Sequence, residues 1–288
     1  MELFKQEPNV DFIKNPKKIK IFTRIILLCV LSALIFINGL NLSMEYTGGT
    51  TIELSFFNKI DIFKLNKLLN TQEKKTIKII QHINKRIIIK IPKNIEVKKI
   101  LYKINNLYST NNTITLHKID YISTETSNNI ILNSIYVTFA TLFIVIFYIH
   151  IRFSYLLALG SLLTLLQNMI IVIGFFSIFN LEFNLAALSA TLIILGYTLN
   201  NIVVIYDQIR KNEVVHKDLN KLNIVNKSLN QTLARTILTS ALTLITMLML
   251  LIFDVETLHT FATALVIGII AGSYSSISTS CYFYTLKI

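Results

Sequence analysis

The feature that most restricts this chain is a set of apolar runs, each about as long as a bilayer is thick: 22–40, 130–149, 154–178, 185–206, 236–253 and 260–284, with no charged residue well inside any of them. A span takes roughly 20 mostly apolar residues, and lipid offers no partner to an open backbone, so each run is expected to be a transmembrane helix. The composition agrees, with 53% hydrophobic residues and a mean hydropathy of +0.58, where soluble domains hold roughly 45–50% apolar residues. The expected fold class is a polytopic α-helical membrane protein with six spans.

The net charge of +12 is distributed around those runs and not within them. Lysines and arginines that bracket spans are membrane flanks, and with no recognisable motif or isolated basic face the chain is not expected to bind nucleic acid. Residues 1–21 carry Lys5, Lys14, Lys17, Lys18 and Lys20, the turn 150–153 carries Arg152, and the loop expected over 207–235 carries Arg210, Lys211, Lys217, Lys221, Lys227 and Arg235. The short connections 180–184 and 254–259 carry acids and no Lys or Arg. The positive-inside rule then places both termini, 1–21 and 285–288, in the cytoplasm. The first run lacks a small-residue cleavage site and reads as a retained span. Cys29 and Cys281 each lie inside an apolar run and read as small apolar residues.

Residues 41–129 fall on the outer side and hold 14 of the 28 Lys and Arg, which does not weigh against the orientation because long segments translocate regardless of charge. Their patterning is that of a small α+β domain. Thr50–Phe57 alternates as a half-buried strand, 60–70 has helical spacing, Thr76–Ile83 and Arg86–Ile91 read as a hairpin around Asn84-Lys85, Asn94 caps a helix to Tyr108, and Ile114, Leu116 and Ile119 mark a last strand. The order βαββαβ is that of a ferredoxin-like domain.

Polar residues inside the spans are the candidate functional positions. Gln167, Asn168, Asn200 and Asn201 fall at overlapping depths of adjacent antiparallel runs, where interhelical amide bonds are expected. Arg235 stands at the mouth of a span, and Asp207 and Arg210 have the i, i+3 spacing of a salt bridge where their helix leaves the membrane. Gly268 and Gly272 have the GxxxG spacing of close helix packing, extended by Ser273, Ser275, Ser276 and Ser278. Gly48-Gly49 supplies a turn or a hinge between the first span and the outer domain. Glu182, Asp254, Glu256 and His259 match no metal-ligand spacing, and there is no nucleophile elbow, phosphate loop or zinc signature, so neither a metal, a cofactor nor an enzymatic reaction is expected.

Two of these stretches together resemble one family. Gly39-Leu-Asn-Leu-Ser-Met-Glu-Tyr-Thr-Gly-Gly-Thr50 resembles the Gly-x-Asp-Phe-Thr-Gly-Gly-Thr segment of the SecF family, and Gly196-Tyr-Thr-Leu-Asn-Asn-Ile-Val-Val-Ile-Tyr-Asp-Gln-Ile-Arg-Lys-Asn212 resembles that family's fourth span and cytoplasmic exit. Gly174-Phe-Phe-Ser177, Arg235-Thr-Ile-Leu-Thr-Ser240 and Gly268 through Ser276 add to the likeness, which runs from about residue 20 to 285. The resemblance implies a bacterial inner-membrane accessory subunit of the Sec protein-export machinery, related to one half of an RND transporter. Its implied partners are a SecD-like subunit, the SecY/SecE/SecG channel, YajC-like and YidC-like accessory proteins, unfolded polypeptide and the lipid bilayer. It also implies proton-motive-force coupling, yet amides occupy the usual sites: Asn201 stands where the family has Asp, Gln167-Asn168 where it has His-Asp, and Glu45 where Asp is usual, while Arg235 and Asp207 keep the family's charges. Two other readings stay open, a structural SecD partner without proton coupling and an RND-type exporter of small molecules or lipids.

Overall fold

The structure is a computed structural model and describes residues 10–12, 39–56, 78–81, 86–92, 97–108, 114–253 and 258–286. Nearly all of the run 22–40, the helix expected over 60–70, Asn84-Lys85, Asn94, Asp254, Glu256 and Lys287 lie outside the described residues. The chain divides into two compact units, Leu42–Ile135 and Met1–Asn41 with Tyr136–Ile288.

The first unit is built on alternation of side chains. A short helix, α1 (Met44–Thr47), leads into β1 (Gly49–Phe56), followed by β2 (Lys78–Gln81), β3 (Arg86–Pro92), α2 (Val97–Tyr108) and β4 (Ile114–Ile122). The strands form one antiparallel sheet in the order β2-β3-β1-β4. Register sets Ile52 opposite Ile89 and Leu54 opposite Ile87. These residues and Ile91 form one buried face against Ile100 and Ile104 of α2. Slipping either strand by one residue would turn every one of those isoleucines to water, so burial fixes the register.

Two glycines join α1 to β1. Gly48 has φ +67° and donates its N–H to Met44 O at 2.8 Å. Gly49 has φ +142°, and a Cβ there would lie 2.5 Å from Ile91 O. Positive φ and contact with the β3 backbone make this a tight turn that only glycine adopts without strain.

The second unit is helical. Among the described residues five helices are long and apolar enough to cross a membrane: α3 (Thr124–Arg152, whose start belongs to the first unit), α4 (Tyr155–Ile178), α5 (Leu185–Val215), α6 (Lys221–Ile252) and α7 (His259–Leu286). The spacing in sequence marked where lipid begins but not where helix ends. The segment 207–235, expected as a loop, is instead the end of α5 and the start of α6, joined only through 216–220. Hydropathy reads the apolar part of a helix, whereas an i to i−4 hydrogen bond needs no lipid, so both helices continue as amphipathic rods. Asn184 Oδ1 caps α5 by accepting from Ala187 N at 2.9 Å, and Asn220 Oδ1 caps α6 by accepting from Leu222 N at 3.4 Å.

Burial differs among the helices. About half of the apolar stretch in α4, α5 and α7 is buried, and very little of that in α3 and α6. α7 touches α4, α5 and α6, and α5 touches α4, α6 and α7, so these two helices form the middle of the helical unit.

The turn yields a test. Gly49→Ala is expected to destabilise the Leu42–Ile135 unit by about 1–3 kcal/mol, seen as faster proteolysis within 42–135 of the full-length protein, with cleavage in the helical unit unchanged.

Candidate functional site: a polar seam inside the helical unit

The buried residues of α5 recur at helical spacing: Ala187, Ala190, Thr191, Ile194, Leu195, Thr198, Asn201, Ile202, Ile205, Tyr206, Ile209 and Asn212. Asn201 is on this stripe at 4% exposure. Asn200, about 100° further round an ideal helix, is exposed. The grouping of both amides with Gln167 and Asn168 is therefore corrected: Asn200 does not share their buried environment. On α4, Gln167 is 5% and Asn168 0% exposed.

Asn168 is the centre of the seam, and its partners are not the amides expected from sequence. Its Nδ2 donates to Thr198 Oγ1 at 2.7 Å and lies 3.4 Å from Gly268 O. One carboxamide thus ties α4 to α5 and to the backbone of α7, and the Gly268 carbonyl, which can only accept, orients the amide nitrogen towards it. Asn168 Oδ1, Gln167 Nε2 and Asn201 Nδ2 are buried without a hydrogen-bond partner among the described residues. The seam consequently has donors and an acceptor to offer, but no charge.

The glycines of α7 allow this approach. A Cβ on Gly272 would stand 2.5 Å from Thr198 Oγ1 and 2.7 Å from Asn168 Nδ2, and one on Gly268 would overlap the Ile194 side chain. A second chain of bonds runs from Tyr197 OH to Ser240 Oγ at 2.8 Å, with Ser240 Oγ 2.8 Å from Ser273 Oγ, linking α5, α6 and α7. Most other buried hydroxyls donate within their own helix, Thr164 to Gly160 O, Thr191 to Ala187 O and Ser276 to Ser273 O, which removes the cost of placing them among apolar groups.

One end of the helical unit carries a cluster of ion pairs. Arg210 Nη2 lies 3.7 Å from Asp207 Oδ1, the pairing expected from their spacing, but the closer partner is Arg152 at the end of α3, 2.7 Å from Asp207 Oδ2. Two spans and the connection between them separate Arg152 from Asp207 in sequence, and their proximity depends on how α3 and α5 pack. Nearby, Asn212 Nδ2 donates to Ser228 Oγ and Gln231 Oε1, each at 2.8 Å, and Gln208 Nε2 donates to the same Gln231 oxygen at 2.8 Å. Arg235 is exposed on α6 and its side chain joins neither cluster. Of the residues weighed for a metal, Glu182 and His259 are among those described, and the described residues hold no group of three ligating side chains.

Comparison with known proteins places this arrangement. The family model for the C-terminal part of the SecD/SecF protein-export membrane proteins matches residues 103–285, and the SecD/SecF GG motif matches residues 33–56. The protein translocase subunit SecF of Calditerrivibrio nitroreducens is 33% identical over 100% of this chain and 97% of its own. That of Rickettsia prowazekii is 31% identical over 97% of this chain and 92% of its own. The crystal structure of SecDF, a translocon-associated membrane protein from Thermus thermophilus, superposes with a TM-score of 0.86 at 25% identity. It is matched by 99% of this chain, which spans only 39% of that longer one.

The packing can be tested with an internal control, because a Cβ on Gly196 meets nothing within 4 Å. Gly268→Ala is expected to lower stability by about 1–3 kcal/mol in thermal or denaturant unfolding of the purified protein, and Gly196→Ala to leave it unchanged or slightly raised. Arg152→Ala is expected to leave the unfolding transition nearly unchanged, since its pair with Asp207 is open to solvent on the arginine side and such pairs contribute little.

Proposed function

The chain belongs to the SecD/SecF family of protein-export membrane proteins, and from that premise we propose that it is a SecF-type subunit of a protein translocase. The carrying observation is that it corresponds end to end with proteins named as SecF while filling 39% of a SecDF chain of the same fold. A SecD-like partner supplies the remainder. In this reading the sixth span is 22–40, both termini are cytoplasmic, and the bundle lies in the bacterial inner membrane beside a SecY/SecE/SecG channel, with YajC-like and YidC-like proteins as further neighbours. The strand order β2-β3-β1-β4 supports a ferredoxin-like outer domain. That domain changes position relative to the bundle as unfolded polypeptide crosses.

The seam shapes the mechanism. A proton relay needs groups that change charge, and Asn and Gln do not titrate. The apolar stretches of α3 to α7 contain no Asp, Glu, Lys, Arg or His. This subunit therefore contributes hydrogen bonding and helix packing to the coupled motion, and any proton-motive-force coupling runs through acids of the SecD-like partner. The uncharged seam equally favours the second reading, a structural partner with no coupling role.

Co-purification decides the first proposal: the chain is expected to hold a SecD-like subunit in mild detergent, and absence of that complex both there and in crosslinked cells would overturn it. For the coupling, Asn201→Leu is expected to leave the uncoupler sensitivity of export unchanged, whereas removing the membrane-buried acid of the partner abolishes it. Loss of uncoupler sensitivity in Asn201→Leu would assign coupling to this chain.

A further inference from the structure

Residues 10–12 and the polar start of α6 meet in a way that neither the family reading nor the seam explains. Val10 N donates to Asn230 Oδ1 at 2.9 Å and Asn230 Nδ2 donates back to Val10 O at 2.9 Å, so one side-chain amide pairs with both main-chain groups of one residue. Phe12 N donates to Asn226 Oδ1 at 2.9 Å. The geometry has a simple origin. Asn226 and Asn230, i and i+4 on one helix face, stand about 6 Å apart in rise, so their carboxamides reach main-chain groups two residues apart. Asn230 Nδ2 also donates to Asn226 O at 2.9 Å, which holds its carboxamide in place, and the residue is 5% exposed.

The side chains divide the work differently. Val10 is 46% exposed. Phe12 packs against a buried cluster of Leu157 from α4, Ile202, Ile205 and Tyr206 from α5, and Val225 and Leu229 from α6. Only the backbone is read at residue 10, and an aromatic side chain is read two residues later.

We propose that Asn226 and Asn230 form a peptide-backbone-binding site for this chain's own residues 10–12, read through the backbone at Val10 and through the aromatic side chain at Phe12. Residues 10–12 fill it as a latch that closes α4, α5 and α6 together at this end of the helical unit. The latch stands whether or not the chain proves to be a translocase subunit.

Hydrogen exchange on the full-length protein in lipid nanodiscs tests this, and the unsubstituted chain alone is decisive. The Val10 and Phe12 amides are expected to exchange at least roughly tenfold more slowly than in a free peptide of the same sequence, and exchange at the free-peptide rate would overturn the proposal. Val10→Ala should keep the protection of Phe12, because that side chain is not read. The double variant Asn226→Leu with Asn230→Leu should lose it, with α5 amides unchanged as the sign of an intact fold. Undiminished protection of Phe12 in the double variant would show that the asparagines are not the site.

Discussion

The helical unit depends on how closely α7 approaches α4 and α5. At Gly268 and Gly272 the α7 backbone lies where Cβ atoms would stand, against Ile194, Thr198 and Asn168. Between helices in lipid the hydrophobic effect is not available as a driving force, because the alternative surroundings are equally apolar, so association rests on van der Waals contact and hydrogen bonds. Both are strongest where no side chain intervenes. The Asn168 amide reaches Thr198 and the Gly268 carbonyl only because of that approach.

The same approach decides the chemistry of the interior. A narrow seam leaves room for hydroxyls that bond back to their own helices and for a few amides, and it offers no solvation for a fixed charge. Charged side chains are found where α3 and α5 end, with Asp207 held between Arg152 and Arg210. Among the described residues the interior of the bundle is thus held by hydrogen bonds and close packing, with ion pairing at the end of α3 and along α5 where it continues beyond its apolar stretch.

Beyond the apolar stretches, α5 and α6 continue as paired amphipathic helices held by side-chain amides: Asn212 and Gln208 to Gln231, and Asn226 and Asn230 to the segment 10–12. Amides suit this place because each both donates and accepts, so it can pair with a neighbouring side chain or with a stretch of backbone. The buried cluster beneath, which includes Ile205, Ile209 and Ile224, gives these polar contacts a dry side and makes them specific.

Much of this was legible in the residues themselves. Bilayer-length apolar runs dictate membrane helices, and alternating isoleucines with helical spacing at 97–108 dictate a sheet with a helix on one face, because backbone satisfaction in lipid and burial of one face are local requirements. The position of Asn201 on the buried stripe and of Asn200 off it was also available, had the 3.6-residue period been extended from Ile194 and Thr198. What sequence could not supply was partnership across the fold. Arg152 with Asp207, Thr198 with Asn168, and Val10 with Asn230 are 55, 30 and 220 residues apart. The sequence by itself determined which segments are apolar enough to cross a membrane, which strand faces are apolar and which interior positions are uncharged. Only the tertiary structure decided which polar groups meet, because that depends on how far each helix is rotated and how closely it approaches its neighbours, and those are set jointly by all the packed side chains.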